Sequence, residues 1–125
     1  MKDLTMGVYA KGVKMNMSFM LTTDQIRNRT KTVTRRVGWK NLKSGKIINA
    51  CEKCQGLKKG QSVKVLCQIR VIDVRREPLS EITKNDVIKE GFPEMTVNDF
   101  VNMFTTHMKC KSSSMVTRIE FEYLS

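Results

Sequence analysis

Two stretches of the chain alternate apolar and polar residues with the two-residue period of a half-buried strand. In Ser62–Arg75, Val63, Val65, Cys67, Ile69 and Val71 share one parity, and polar Lys64, Gln68 and Arg70 share the other. Near Ile72 the apolar phase moves to Ile72 and Val74, and a phase switch inside one strand predicts a bulge or bend. Pro78 ends this strand. In Met115–Tyr123, Ile119, Phe121 and Tyr123 are expected to point inward, with Arg118, Glu120 and Glu122 outward. Shorter strands are expected at Met17–Leu21, at the β-branched segment Thr30–Val37 and at Lys46–Lys53.

Helical signals lie between these strands. Thr22-Thr23-Asp24-Gln25 reads as a capping box opening a short helix over Thr23–Arg29. Thr83 is placed to cap a helix running through Glu90, with Asp86 at its third position and Gly91 as its stop. Thr96 caps the last helix. Its Val97, Phe100, Val101, Phe104 and Met108 form an apolar stripe at helical spacing, which is expected to be core. Residues 1–16 show no clear period and read as an extension to a single domain over residues 17–125. The expected class is α+β: a small, mostly antiparallel β-barrel of five or six strands with two or three short flanking helices.

Composition fits one folded domain. The chain has 125 residues and is 40% hydrophobic, enough for one core and too apolar for a disordered tail. No apolar run approaches the roughly 20 residues a membrane helix needs. The first twenty residues are broken by Lys2, Asp3, Lys11 and Lys14, unlike a secretory signal. The expected compartment is the cytoplasm, with no membrane partner.

Charge sharpens the picture. The net charge is +11, and its distribution is uneven. Residues 1–76 hold 18 basic and 4 acidic side chains, whereas residues 77–125 hold 5 and 8. An excess of this size predicts a polyanion partner, most simply nucleic acid. The densest cluster is Arg27, Arg29, Lys31, Thr32, Thr34, Arg35 and Arg36. Its cations suit phosphate and its hydroxyls suit hydrogen bonds to a nucleotide; a solvated basic strand edge is the plainer reading. Trp39 is placed either to stack on a base or to cap the core. Lys58 and Lys59, in the basic turn Gly56–Gly60, are further candidate RNA contacts.

Cys51, Cys54, Cys67 and Cys110 are expected to be free thiols. Cys51-x-x-Cys54 with His107-x-x-Cys110 is a weak zinc candidate, because the second pair lacks a zinc-finger spacing. No cofactor is expected. His107, the sole histidine, reads as structural.

The segment Thr30-Lys31-Thr32-Val33-Thr34-Arg35-Arg36 after a short helix, the turn Gly56–Gly60 before a strand, and Arg75-Arg76-Glu77-Pro78-Leu79 leading to Val87-Ile88-Lys89-Glu90-Gly91-Phe92 resemble the ASCH domain. The resemblance runs from about Met17 to Leu124 and looks closest to small stand-alone ASCH proteins of bacteria and phages. It implies a PUA-like barrel and RNA-related work: RNA binding, RNA cleavage without a metal, or hydrolysis of the acetyl amide of acetylcytidine. Carried over position by position, the resemblance implies Lys31, Thr34 and Glu90 as the catalytic group and Arg36 as the anion- or carbonyl-holding residue. A Lys desolvated beside other cations has the lowered pKa needed to activate a Thr hydroxyl. Strict alternation places Lys31 and Thr34 on opposite strand faces, so they converge only if Lys31 precedes the regular strand or a bulge intervenes. Two alternatives stand beside the hydrolase: a non-catalytic RNA-binding module and a zinc-stabilised interaction protein.

Overall fold

The computed structural model describes residues 10–54 and 57–124. Residues 1–9 of the expected extension, and Gly56 of the expected basic turn, lie outside the described residues. The chain forms β1 (Asn16–Ser18), α1 (Thr23–Arg27), β2 (Val33–Arg36), β3 (Ile47–Cys51), β4 (Val65–Pro78), α2 (Lys84–Lys89), α3 (Val97–Met108) and β5 (Met115–Tyr123). The strands make one five-stranded sheet in the order β1-β3-β4-β5-β2. Three pairings are antiparallel, and β1 runs parallel to β3. The α+β class and the lower of the two expected strand counts hold. The sheet itself is open among the described residues, with β1 and β2 as its edges rather than partners in a closed barrel.

β4 carries the bulge that the phase switch predicts. Val71 pairs with Phe121 and Asp73 with Glu120, so Ile72 is squeezed out of register and stands 47% exposed. The strand runs on to Pro78, three residues beyond Arg75, because β5 pairs with it that far: Pro78 faces Met115.

Two apolar clusters lie on opposite sides of the sheet. Alternation along β5 puts Ile119 and Phe121 in the larger cluster, with Met17, Phe19, Ile26 and Ile69. Val116 falls in the smaller one, with Leu79, Val87, Phe100 and Phe104. Burying each of these side chains contributes about 1.5–3 kcal/mol. α3 supplies Phe100 and Phe104 as expected, but Met108 at its end is 43% exposed.

Local hydrogen bonding explains where the elements depart from the sequence pattern. α1 has no side-chain cap: a 3-10 turn at Met20–Thr22 feeds directly into it, and the Thr23 hydroxyl donates to Phe19 O at 3.0 Å. Gln25 is therefore free of a capping role and donates to Gly91 O at 3.2 Å. β2 begins at Val33 rather than Thr30 because the preceding amides are used elsewhere. Thr30 N donates to Gln25 O at 2.9 Å and Thr32 N to Lys89 O at 2.8 Å. α2 and α3 are capped by Thr83 and Thr96 as the sequence indicates, and Asp99 completes a capping box at α3. Ahead of β1, Ala10 exchanges hydrogen bonds with the Gln68 side chain and Asn49 donates to Val13 O, so residues 10–16 dock on the sheet.

Of the residues expected to point outward on β5, Glu122 is exposed and Glu120 half-buried, but Arg118 is neither. It is 5% exposed, because α2 covers that face of the sheet and sets Asp86 against it.

Candidate functional site

Lys31 stands two residues before β2, so strand alternation does not apply to it. Its ammonium donates to Glu90 Oε1 at 2.7 Å and to Glu90 O at 2.9 Å. Glu90 caps the C-terminus of α2, and Gly91 then turns the chain at φ +100°. A Cβ at Gly91 would lie 2.7 Å from Gln25 Cγ and 3.5 Å from Lys31 Cβ. Only glycine allows α2 to come this close to α1 and Lys31, which is the reason for its place in the Glu-Gly-Phe segment.

The other Glu90 oxygen accepts from Arg35 Nη1 at 3.2 Å. Arg35 Nη2 also donates to Glu77 at 2.8 Å and Asp86 at 2.6 Å. Asp86 in turn accepts from Arg118 Nε at 2.6 Å and Nη2 at 3.1 Å. Lys31, Arg35 and Arg118 thus face Glu77, Asp86 and Glu90, all six buried, and their formal charges cancel. Arg35 Nε is buried without a partner. Burial opposes ionisation of Asp86, but the bonds from Arg118 and Arg35 outweigh it and hold its carboxyl well below the usual range. Glu77 is lowered in the same way: Arg75 and Arg35 overcome the burial that would raise it. Burial pushes the Lys31 ammonium below the ordinary lysine range, and Glu90 offsets only part of that.

Arg36 is the cation left over. Among the described residues it makes no ion pair. Its Nε donates to Thr34 Oγ1 at 3.1 Å, and its guanidinium lies 4.7 Å from the centre of the Phe19 ring. Burial lowers its pKa to about 10, which leaves it charged at neutral pH.

A cleft of about 250 Å³ is lined by residues from the end of β1 and the turn after it, from β2 and from α3, and it draws side chains from both apolar clusters. Its charged and hydroxyl lining comes from Lys31, Thr34, Arg35, Arg36 and Glu90, with Thr22 and Ser18. Its apolar lining includes Phe92, Phe100, Met103, Phe104 and Met108, and Phe19 packs against the Arg36 guanidinium. The volume is below the about 300–1,000 Å³ usual for drug-sized ligands and suits a single base or nucleoside. A duplex does not fit it.

The remaining candidates lie elsewhere. Arg27 pairs with Glu52 at 3.3 Å on the surface. Arg29, at φ +61°, lies over the Tyr123 ring at 5.4 Å. Thr32 spends its backbone on Lys89 and Phe121. Lys58 and Lys59 are exposed in their turn. Trp39 lines a separate groove and packs on the larger cluster. Among the described residues no group of three or more His, Cys, Asp or Glu could hold a metal. Cys51 and Cys54 therefore do not meet His107 and Cys110. His107 is exposed, Cys110 packs on the smaller cluster, and burial beside Cys54 pushes the Cys51 thiol up to about 12.

Sequence reasoning did not single out Glu77, Asp86 and Arg118 as partners. The only signal was compositional: Arg75, Glu77 and Asp86 are charged residues on either side of a short turn.

No family model matches the chain, and no curated protein matches it in sequence. Solved structures do match. An ASCH domain from Lactobacillus crispatus superposes with a TM-score of 0.60 at 12% identity, covering 83% of this chain and 70% of the other. A DUF984 protein from Enterococcus faecalis gives 0.64 at 14% identity, covering 90% and 80%. The hypothetical protein PH0355 gives 0.59 at 16%, covering 87% and 95%. At these identities the likeness is one of fold: the chain has the small α+β fold seen in the ASCH domain structure, in line with the resemblance read from the sequence. Among the described residues no helix is long and apolar enough to cross a membrane.

Proposed function

We propose that the cleft takes one base of RNA, or a free modified nucleoside, and hydrolyses an acyl amide on it, an acylated cytidine being the substrate class. The observation that carries this reading is the convergence of Lys31, Thr34, Arg36 and Glu90 on one small cleft whose remaining lining is largely aromatic and apolar. The base packs on the apolar lining and the amide meets the polar groups.

The chemistry follows from the side chains. Lys31, its pKa lowered by burial, takes the proton as Thr34 Oγ1 attacks the acyl carbon. Arg36, already bonded to that hydroxyl, stabilises the negative charge on the carbonyl oxygen. The carbon–nitrogen bond breaks, the released amine takes the proton back from Lys31, and water then cleaves the threonyl ester to a carboxylic acid. Glu90 accepts from Lys31 and Arg35 with its two oxygens, so it orients the ammonium.

One observation favours a second reading. The Lys31–Glu90 contact at 2.7 Å favours the charged ammonium, as suits a module that only binds RNA. Incubation with acetylcytidine and with structured RNA, followed by product analysis, separates the two. The hydrolase releases cytidine and acetate, and Thr34→Val stops release without changing the melting temperature. RNA that is bound but returned intact, with acetylcytidine untouched, would leave the binding module.

A further inference from the structure

Trp39 lies in a groove of its own, of about 390 Å³. The loop that builds it is tied to the sheet: Gly45 N donates to Val71 O at 2.7 Å, and Val71 N donates to Lys46 O at 2.8 Å. Trp39 is held at φ +59°, a conformation that a bulky side chain rarely adopts. Lys40, Lys43 and Lys46 line the same groove with Asn41, and no carboxylate does. All three lysines are exposed, and among the described residues none is in an ion pair. An indole beside three uncompensated ammonium groups combines a stacking platform with a phosphate track.

We infer that this groove is a second binding site, one that takes the backbone and one base of an unpaired RNA strand. Arg36 in the cleft and Trp39 in the groove are three residues apart, so their Cα atoms are separated by at most about 11 Å. That spacing is within the reach of a few nucleotides for a strand that has one base in the cleft. The choice of RNA rests on reading the neighbouring cleft as ribonucleoside-directed. The site itself rests on Trp39 and the lysines. On this view the substrate of the cleft is a modified base within a single strand.

The chain has one tryptophan, so its fluorescence reports on this groove alone. The test is titration of the full chain with an unstructured oligoribonucleotide of about ten nucleotides, with its deoxy counterpart, and with cytidine. The ribo-oligomer is expected to quench Trp39 emission and free cytidine to leave it unchanged. Trp39→Ala weakens RNA binding about 5- to 150-fold while Trp39→Phe retains most of it. Lys43→Gln and Lys46→Gln, at exposed positions that leave the fold intact, each lower the salt slope of binding by about 0.7. RNA binding with unchanged emission and an unchanged salt slope in both lysine variants would overturn the proposal. Equal quenching by the deoxy strand would reject RNA as the occupant. The two sites are told apart by Thr34→Val, which leaves quenching intact. Acetylcytidine hydrolysis without RNA quenching keeps the cleft reading and rejects the groove; quenching without hydrolysis does the reverse.

Discussion

The Lys31 ammonium reaches both the side chain and the backbone of Glu90, at 2.7 Å and 2.9 Å, across 59 positions of sequence. Both side chains are 3% exposed. A buried pair is weak evidence of net stability, but removing one partner leaves an uncompensated charge and costs about 3–5 kcal/mol. Glu90→Ala is therefore expected to lower the free energy of urea unfolding by about that amount. Lys31→Met combined with Glu90→Leu recovers most of it. Additive losses in the double variant would show that the two side chains do not act as a pair.

How much of this was legible in the sequence depends on what each signal records. Alternation along β4 records which side chains meet the core, so the bulge at Ile72 could be read from the phase switch alone. The caps at Thr83 and Thr96 are local and were equally readable. Arg118 was not, because alternation assumes one covered face, and here α2 covers the second. Arg35 was read as a binding residue from local charge density. The three carboxylates that neutralise it come from β4 and α2, more than forty positions away, and local charge density says nothing about them.

Gly91 joins the site to the fold. Its positive φ and the 2.7 Å approach of Gln25 Cγ act together against any side chain. Gly91→Ala is expected to cost about 1–3 kcal/mol in chemical denaturation. It also moves Glu90 relative to Lys31, so activity falls more than stability does. A variant as stable and as active as the parent would remove the close approach from the account.

Arg35 and Arg36 are neighbours with opposite duties. Arg35 is spent on Glu77, Asp86 and Glu90, whereas Arg36 faces the cleft with no carboxylate partner among the described residues. On the binding-module reading, in which Arg36 meets a phosphate, Arg36→Gln is expected to leave the melting temperature nearly unchanged and to lower the salt slope of RNA binding by about 0.7. Arg35→Gln is expected to destabilise the fold, by about 3–5 kcal/mol, before any change in slope can be read. Measuring melting and salt dependence on both variants decides whether that division holds.

Burial places the Lys31 ammonium below the ordinary lysine range of about 10.4. If its free amine is the base, turnover rises as pH increases through that lowered value and then levels off. Lys31→Arg, which stays protonated throughout, is expected to abolish turnover at every pH. A rate that is flat with pH would take the proton transfer away from Lys31.

The acid side of the stability curve belongs to Asp86 and Glu77. Both folded-state pKa values are depressed, Asp86 by Arg118 and Arg35 against its burial and Glu77 by Arg75 and Arg35 against its own. A depressed carboxylate contributes stability above its unfolded-state value, about 3.9 for Asp and 4.3 for Glu. That stability is lost as pH falls from there through the folded value. The melting temperature is therefore expected to drop below about pH 4–5. Asp86→Asn melts lower at neutral pH because Arg118 loses its charged partner, but it has less to lose on acidification. Its melting curve and the parent's are expected to converge as the pH is lowered. Curves that stay parallel down to the acid transition would mean that the carboxylates titrating there are not the ones buried behind the cleft.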